Sequence, residues 1–540
     1  LDGEPSTVKA ALRPERDARF CEGVDHRAAR QRLVLPIGLA SINSALLGQG
    51  RFVVMQLKAK DFGLLLGLAV IFILAVYVRF PSDGNIALNI DETIPIAVSK
   101  SMETRESLDP NWIHADLLEF LKYDQYNFYS YNILAHLVLS NAADSYGNEL
   151  VYLRTLNLII QLISLALIVD AIRRMKLGYN VMLFGALAVA FSPTMVFDSH
   201  IARPESLLYL VTCIGIWVYS ANFGFWRNII IFSVLLGFGS TIKITFPIVG
   251  IPLIFMFYKK YDLDFKSMIA PGLVVLGVGI LSFVIFAPYA LINFGAFLNG
   301  LEFLSNQYAS GHPPHTAPDP FFLSYFLWIV RFFAETHLGI LLLICFAMFL
   351  PKSHRNLIIV LALPFVLLVF YFSTRVVFFE RNFAHVLPLL IFASAVAFSD
   401  ITNFLKHTLK LKNRNLVSAL SMLVIVTPMA MVSMNVFQAV HTELDSRQRF
   451  LDQYPGFSQI AQTHTLMLAK APDCGNLVIT EFDNDRASIY RQMMQDNGFA
   501  VVAHYRGPFE GMATSTLQPY LGPSLRVYSR ACDQAPAVTG

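Results

Sequence analysis

FGLLLGLAVIFILAVYVRFPSDGNIALNIDETIPIA (62–97) carries two signals in one stretch. No residue from Phe62 to Val78 is charged, and such a run approaches the ~20 apolar residues an α-helix needs to cross a hydrocarbon core about 30 Å thick. Asp91 and Glu92 follow shortly after it. Acidic residues just beyond an apolar span either cap the next helix, whose dipole favours them there, or serve a function, since ionisable groups near lipid are costly to keep idle. The rest of the chain decides between these.

Over the 540 residues, 55% are hydrophobic and 15% charged, with a mean hydropathy of +0.53. A soluble domain carries roughly a quarter charged residues, so lipid is the solvent implied. The net charge of +3 gives no reason to expect nucleic acid. Candidate spans are 62–79, 150–170, 181–197, 206–222, 228–241, 246–258, 268–288, 322–349, 357–373, 384–399 and 416–436. The fold expected is therefore a polytopic α-helical membrane protein of about eleven transmembrane helices, in which 228–241 and 246–258 form a hairpin of two half-length helices.

Orientation follows from the basic residues of the short loops. Lys58 and Lys60, Arg173, Arg174 and Lys176, Arg227, Lys259, Lys260 and Lys266, Lys352 and Arg355, and Lys406, Lys410, Lys412 and Arg414 fall on one side, which is read as the cytoplasm. The loop 80–149 and the tail 437–540 then lie outside. Counting Tyr126–Ala143 as a span would move Arg173, Arg174 and Lys176 outside, so it is read as an interfacial amphipathic helix. Residues 56–436 form the membrane domain. Residues 1–55 are an uncertain extension: Met55 is read as the start, with Leu1–Val54 upstream or disordered, a cytoplasmic arm being the alternative. The run from Phe62 lacks a cleavage site and reads as a signal anchor.

The tail changes character. Asn476–Phe482, Ala500–Tyr505 and Leu525–Ala531 read as strands, and Gly456–Lys470 and Arg486–Asp496 have helical periodicity, giving a small extracytoplasmic α/β domain. Cys213 and Cys345 fall within spans and Cys21 in the extension. Cys474 and Cys532 are both in the tail, where an oxidising compartment would pair them as a disulfide.

Ionisable residues gather at the outer ends of the spans. Asp91 and Glu92 lie in NIDETIPIA, and Asp198, His200, Arg203 and Glu205 in FDSHIARPES. Lys243 lies in GSTIKITFP, and Arg375, Glu380, Arg381 and His385 in STRVVFFERNFAH. Each has a bland reading. Arg203–Glu205 and Glu380–Arg381 would serve as local ion pairs, Lys243 would snorkel to headgroups, and Asp91 and Glu92 would cap a helix. Four loops converging on one face favour a site. A carboxylate suits a hydroxyl acceptor, whose proton must be taken as it attacks. Lys and Arg suit the phosphate of a lipid donor, on which charge builds as the glycosidic bond breaks.

At these residues the chain resembles the GT-C superfamily of polyprenyl-phosphate-sugar glycosyltransferases, and within it the protein O-mannosyltransferase and lipid A aminoarabinose transferase branch. The resemblance covers most of 56–436: a first span, an acidic motif opening a long loop, and an Arg-Pro-acid turn (Arg203-Pro204-Glu205) between the third and fourth spans. It implies Asp91 as general base, Glu205 as the acidic residue supporting the site or an ion, and an inverting single displacement; its members hold the lipid phosphate with basic residues, which Lys243, Arg375 and Arg381 match in kind and placement. Beside the resemblance, Glu92 is read as shaping the catalytic group, Arg203 as assisting at the donor phosphate or pairing with Glu205, and His200, Tyr126, His312 and His385 as contacting substrate. LKYDQYNFYSY (121–131) stands where relatives show a Pro-Pro-Leu-Tyr-like run, without either proline, which leaves Lys122 and Tyr126 unassigned by motif. No cofactor is required by the reading. The oligosaccharyltransferase relatives bind a divalent cation, so Mg²⁺ or Mn²⁺ on Asp91 and Glu205 is the alternative.

There is no phosphate-binding Gly-rich loop and no paired Cys-x-x-Cys motif. Asp262-Leu263-Asp264 reads as solvated charge, and His312 and His315 as part of a proline-stiffened lid or acceptor loop. The function expected is transfer of a sugar from a polyprenyl-phosphate donor to a lipid, glycan or protein acceptor at the periplasmic face of a bacterial inner membrane. A transporter or flippase of lipid-linked sugars is the rival from another class, but neither internal repeats nor midplane charges are evident. A non-catalytic assembly subunit is the third.

Overall fold

Helices stand at every position where the sequence places a span, but not all are long enough to be one. In the computed structural model, residues 59–81, 88, 90–115, 117, 123–141, 149–221, 223–262, 264, 266–310, 322–350, 354–375, 377, 379–409, 414–453, 460–461, 475–481, 492, 495–496, 498–505 and 524–530 are described. The expectations for Met55, Lys122, His312, His315, Cys474 and Cys532 lie outside the described residues. Among the described residues, seven stretches are long and apolar enough to cross a membrane: Glu149–Arg174, Phe225–Ile242, Lys266–Phe286, Phe322–Ala347, Arg355–Ser373, Glu380–Thr408 and Leu416–Phe450. An eighth crossing is made if α5 (Tyr179–Ala190) and α6 (Pro193–Ser199), bent by 50° at their junction, count as one.

The eleven expected are met in part, the remaining helices falling short of that length. The apolar parts of α1 (Ala59–Tyr77) and α7 (Glu205–Ser220) are shorter, and α9 (Gly250–Lys260) has 11 residues. At 1.5 Å per residue such a helix covers about 16 Å, half of a hydrocarbon core. The hairpin is therefore asymmetric: α8 (Phe225–Ile242) is long enough to span, and its partner is a short 3₁₀ turn, Phe246–Val249, continued by α9.

Packing follows from what each helix presents. α15 (Leu387–Leu409) is lined with small residues, among them Ala393, Ser394, Ala395 and Ala397, and is buried against α5, α7, α13 (Phe322–Ala347) and α14 (Arg355–Ser373). Small residues let transmembrane helices approach closely. α10 (Ile269–Phe286) exposes Leu273, Leu276, Ile280 and Ile285, touching the protein mainly along α8. α4 (Glu149–Arg174) runs between α5 and α7. α2 (Thr93–Thr104) and α3 (Tyr129–Asn141) belong to the segment between α1 and α4, and α3 buries Tyr129, Ser130, Tyr131 and Asn132 against its neighbours. After α11 (Pro288–Ile292), α12 (Phe294–Ser310) closes the same end.

α16 (Arg414–Asp452) runs past the expected end at 436. Its 39 residues amount to about 59 Å, well beyond a bilayer core. The excess packs on the tail: Glu443 and Arg447 form a buried ion pair at 2.7 Å, and the Tyr505 hydroxyl donates to Glu443 Oε2 at 3.0 Å. Strands β2 (Gly475–Glu481), β3 (Ala500–Tyr505) and β4 (Ser524–Arg530) lie within a residue of where the sequence places them. Ile460 and Ala461, expected within a helix, form strand β1 instead. They pair in parallel with Val478 and Ile479, a long-range bond that local periodicity does not encode. The sheet order is β1-β2-β4-β3, antiparallel across β2-β4 and β4-β3.

Candidate active site

The turn between α6 and α7 forms the floor of the site. Arg203 is the centre of a buried group of carboxylates. Its Nη2 reaches Asp198 Oδ1 at 3.3 Å, its Nε lies 3.4 Å from Glu205 Oε2, and its Nη1 lies 3.7 Å from Asp91 Oδ2. The local Arg203–Glu205 pair weighed from the sequence is thus present, but as one arm of a larger cluster. Burial opposes the Arg203 charge, yet Glu205, Asp198 and Asp91 outweigh it and hold its pKa above the usual arginine value. Asp198 also accepts a hydrogen bond from the Tyr209 hydroxyl. The Asn157 amide donates to the carbonyls of Ile201 (2.7 Å) and Arg203 (3.1 Å), fixing the turn from behind.

Asp91 and Glu92 sit side by side on a 3₁₀ turn, Ile90–Glu92, and face different ways. Glu92 stands at the N-cap of α2 but forms no side-chain cap bond there. Glu92 is sealed. It takes two hydrogen bonds at 2.9 Å from the Arg154 guanidinium, and one each at 2.7 Å from the backbone N–H of Leu88 and of Ala202. Asp91 turns toward Arg203 and pairs with the Arg381 guanidinium. The side chains of Arg203, Glu205 and Asp198 are 1% exposed, against 16% for Asp91 and 19% for Arg381. Asp91 is therefore the carboxylate of this cluster that an incoming molecule can reach.

Lys243 terminates α8 and donates from Nζ to the Arg381 carbonyl at 3.0 Å, which ties the hairpin tip to the turn before α15. Burial pulls its pKa from 10.5 to about 8; Glu205 opposes the shift, and Arg381 and Arg203 add to it. The Arg381 guanidinium lies 4.5 Å from the Phe379 ring centroid, a cation–π contact. It turns from its neighbour Glu380 to Asp91, so the local Glu380–Arg381 pair is not what forms. Tyr308 of α12 exchanges hydrogen bonds with Asn382 at 2.9 and 3.2 Å, closing the site from above.

The structure thus gathers Asp91, Arg203, Glu205, Arg381 and Lys243, leaves His385 close enough to feel the Lys243 charge, and turns Glu92, Arg375, His200 and Tyr126 to other partners. Arg375 stacks on the Tyr371 ring at 4.9 Å and, among the described residues, makes no ion pair. His200 points at the end of α1, its Nε2 3.0 Å from the Val78 carbonyl and its ring 5.5 Å from that of His441. Burial drives its pKa down to about 3, with the Val78 carbonyl opposing and His441 adding, so the imidazole is neutral. The Tyr126 hydroxyl accepts from Asn293 at 2.8 Å, away from the carboxylates. His385 is buried beside Phe246.

Arg154, Asn157, Gln161 and Tyr308 did not stand out in the sequence. The first three are polar residues inside an apolar span, a signal that hydropathy averaging conceals. Among the described residues no group of three or more His, Cys, Asp or Glu side chains is arranged to hold a metal ion.

No protein-family model and no curated protein sequence matches the chain. Solved structures do. ArnT from Cupriavidus metallidurans bound to undecaprenyl phosphate aligns with a TM-score of 0.50 at 12% identity, over 87% of this chain and 98% of that one. Its apo state gives 0.50 at 12%, over 88% and 99%. The oligosaccharyltransferase of Archaeoglobus fulgidus tethered to an acceptor peptide gives 0.44 at 12%, over 77% and 58%. At such identities the likeness is one of fold. The chain has a polytopic helical fold like that of ArnT.

Proposed function

We propose that this protein is a membrane glycosyltransferase of GT-C type, moving a sugar from a polyprenyl-phosphate donor to an acceptor hydroxyl or phosphate at the non-cytoplasmic face. The observation that carries the reading is the position of Asp91, an accessible carboxylate facing two guanidinium groups in an otherwise sealed cluster. The ArnT likeness supports the class, since that protein was crystallised with a polyprenyl phosphate.

Asp91 acts as general base. As the acceptor oxygen attacks the anomeric carbon, its proton passes to the Asp91 carboxylate, and the bond from that carbon to the phosphate oxygen breaks with its electron pair leaving on the phosphate. One displacement inverts the anomeric centre. Arg381, paired with Asp91, and Lys243, held on the Arg381 carbonyl, stabilise the departing phosphate. Arg203 and Glu205 hold the floor, and Arg203 Nε and Nη1 make only the long ion-pair contacts given above. In this reading the Arg203 guanidinium, in contact with both Asp91 and Glu205, supplies the positive charge that a shared divalent ion would supply in the alternative.

The test is Asp91→Asn in the purified protein, assayed with a panel of radiolabelled polyprenyl-phosphate sugars. Turnover is expected to fall about 10²–10⁴-fold, the usual worth of a general base, with donor binding retained. Full turnover by the variant would overturn the assignment, and inertness of the wild type toward every lipid-phosphate sugar would overturn the activity.

A further inference from the structure

Arg154, Asn157 and Gln161 follow one another on α4 at intervals of three and four residues, so they share one face of the helix. All three are at most 1% exposed. Three polar side chains within an apolar span are costly unless each is fully used, and each is used on a different part of the candidate site. Arg154 holds Glu92 with two hydrogen bonds, and Glu92 in turn takes the Ala202 N–H. Asn157 holds the carbonyls of Ile201 and Arg203 and accepts from the Tyr131 hydroxyl at 3.3 Å. Gln161 donates to Ser206 Oγ at 2.9 Å and accepts from Arg79 Nε at 2.8 Å. Arg79 then donates to the carbonyls of Val189 and Ala190, at the break between α5 and α6.

The segments held this way are 88–92, 201–206 and the α5–α6 break. None is the interior of a regular helix, so their positions are not set by a ladder of their own. Yet they carry Asp91, Arg203 and Glu205. We propose that the polar stripe of α4 is a template that fixes the spacing of Asp91 from Arg203 and Glu205, making Arg154, Asn157 and Gln161 positioning residues for the reaction assigned above. Glu92 belongs to this template and not to the chemistry. The proposal rests on the glycosyltransferase reading, and its test is arranged so that the two fail separately.

Asn157→Ala is compared with Ser282→Ala, which removes a buried hydrogen bond at 2.9 Å to the Val234 carbonyl, between α10 and α8 and away from the stripe. Both variants should lose thermal stability. Only Asn157→Ala should lower kcat, by about 10²-fold, the scale at which a misplaced catalytic group costs rate. Its donor dissociation constant should stay within about threefold of wild type, because the interaction lost is one that matters in the transition state. Arg154→Lys, which keeps the charge but not the two-pronged bond, should show the same split more mildly and serves if Asn157→Ala does not fold. Unchanged kcat in both stripe variants, or an equal fall in Ser282→Ala, overturns the template. Asp91→Asn is assayed alongside: if it is fully active the chemical reading fails, and if it is inactive while the stripe variants turn over normally only the template fails.

Discussion

Lys243 is the residue whose chemistry leaves the clearest mark in solution. Its pKa is drawn down to about 8, mainly by burial, with Glu205 resisting and Arg381 reinforcing. The lowered value means that the folded protein bears the cost of a buried ammonium in full below pH ~8, and that this cost is relieved as the pH rises toward 10.5, the unperturbed value. Stability attributable to this group therefore rises across that window, while phosphate binding falls as the cation is lost. We expect kcat/KM, which reports the free enzyme, to decline with an apparent pKa near 8. Lys243→Arg should carry that limb upward out of reach, since a guanidinium stays charged. A basic limb that stays in place in the arginine variant would show that another group titrates. Arg203 makes the second statement at this scale. With its guanidinium already between Asp91 and Glu205, we expect turnover to persist in excess EDTA; activity lost in chelator and restored by Mg²⁺ or Mn²⁺ would mean that a metal enters where the guanidinium now lies.

Among the elements, the α8–α10 contact is set by a single missing side chain. A Cβ on Gly237 would come within 2.2 Å of the Gly279 carbonyl oxygen and 2.9 Å of the Phe283 nitrogen, both backbone atoms that cannot swing away. Gly237→Ala should destabilise by about 1–3 kcal/mol, as overpacking does. Gly277 lies on the same pair of helices with nothing within 4 Å of its virtual Cβ, so Gly277→Ala should be neutral or gain the ~0.5–1 kcal/mol of helix propensity. Thermal unfolding in detergent measures both, and equal melting temperatures would show that the helices do not approach as described. Elements of this kind were legible to different degrees. Apolar runs report on their own surroundings, so the helices stand where hydropathy puts them, while crossing length depended on ends such as the 3₁₀ turn before α9 that no average reveals. Asp91 and Glu92 were visible as a pair but not as two roles, because the difference is made by Arg154, Ala202 and Arg381, the last 290 residues away. The parallel pairing of β1 was hidden for the same reason.

For the whole molecule, the question is which way the bundle faces. Arg173 and Arg174 end α4, Lys260 ends α9 with Nζ on the Tyr219 and Ala221 carbonyls, and Arg355 begins α14. The chain connections put these residues at the end opposite Asp91, Arg203, Lys243 and Arg381. Basic residues in short loops mark the cytoplasmic side, so the proposed function expects the site to open away from the cytoplasm, where a lipid-linked donor would supply both the sugar and the leaving group. A cysteine at Thr104, exposed at the end of α2, should then react with a membrane-impermeant maleimide in intact cells. A cysteine at Ser267, exposed beside Lys266, should react only after the membrane is opened. The reverse pattern would place the site in the cytoplasm and remove the reason for a lipid phosphate as the donor, since soluble activated sugars would then reach Asp91 directly.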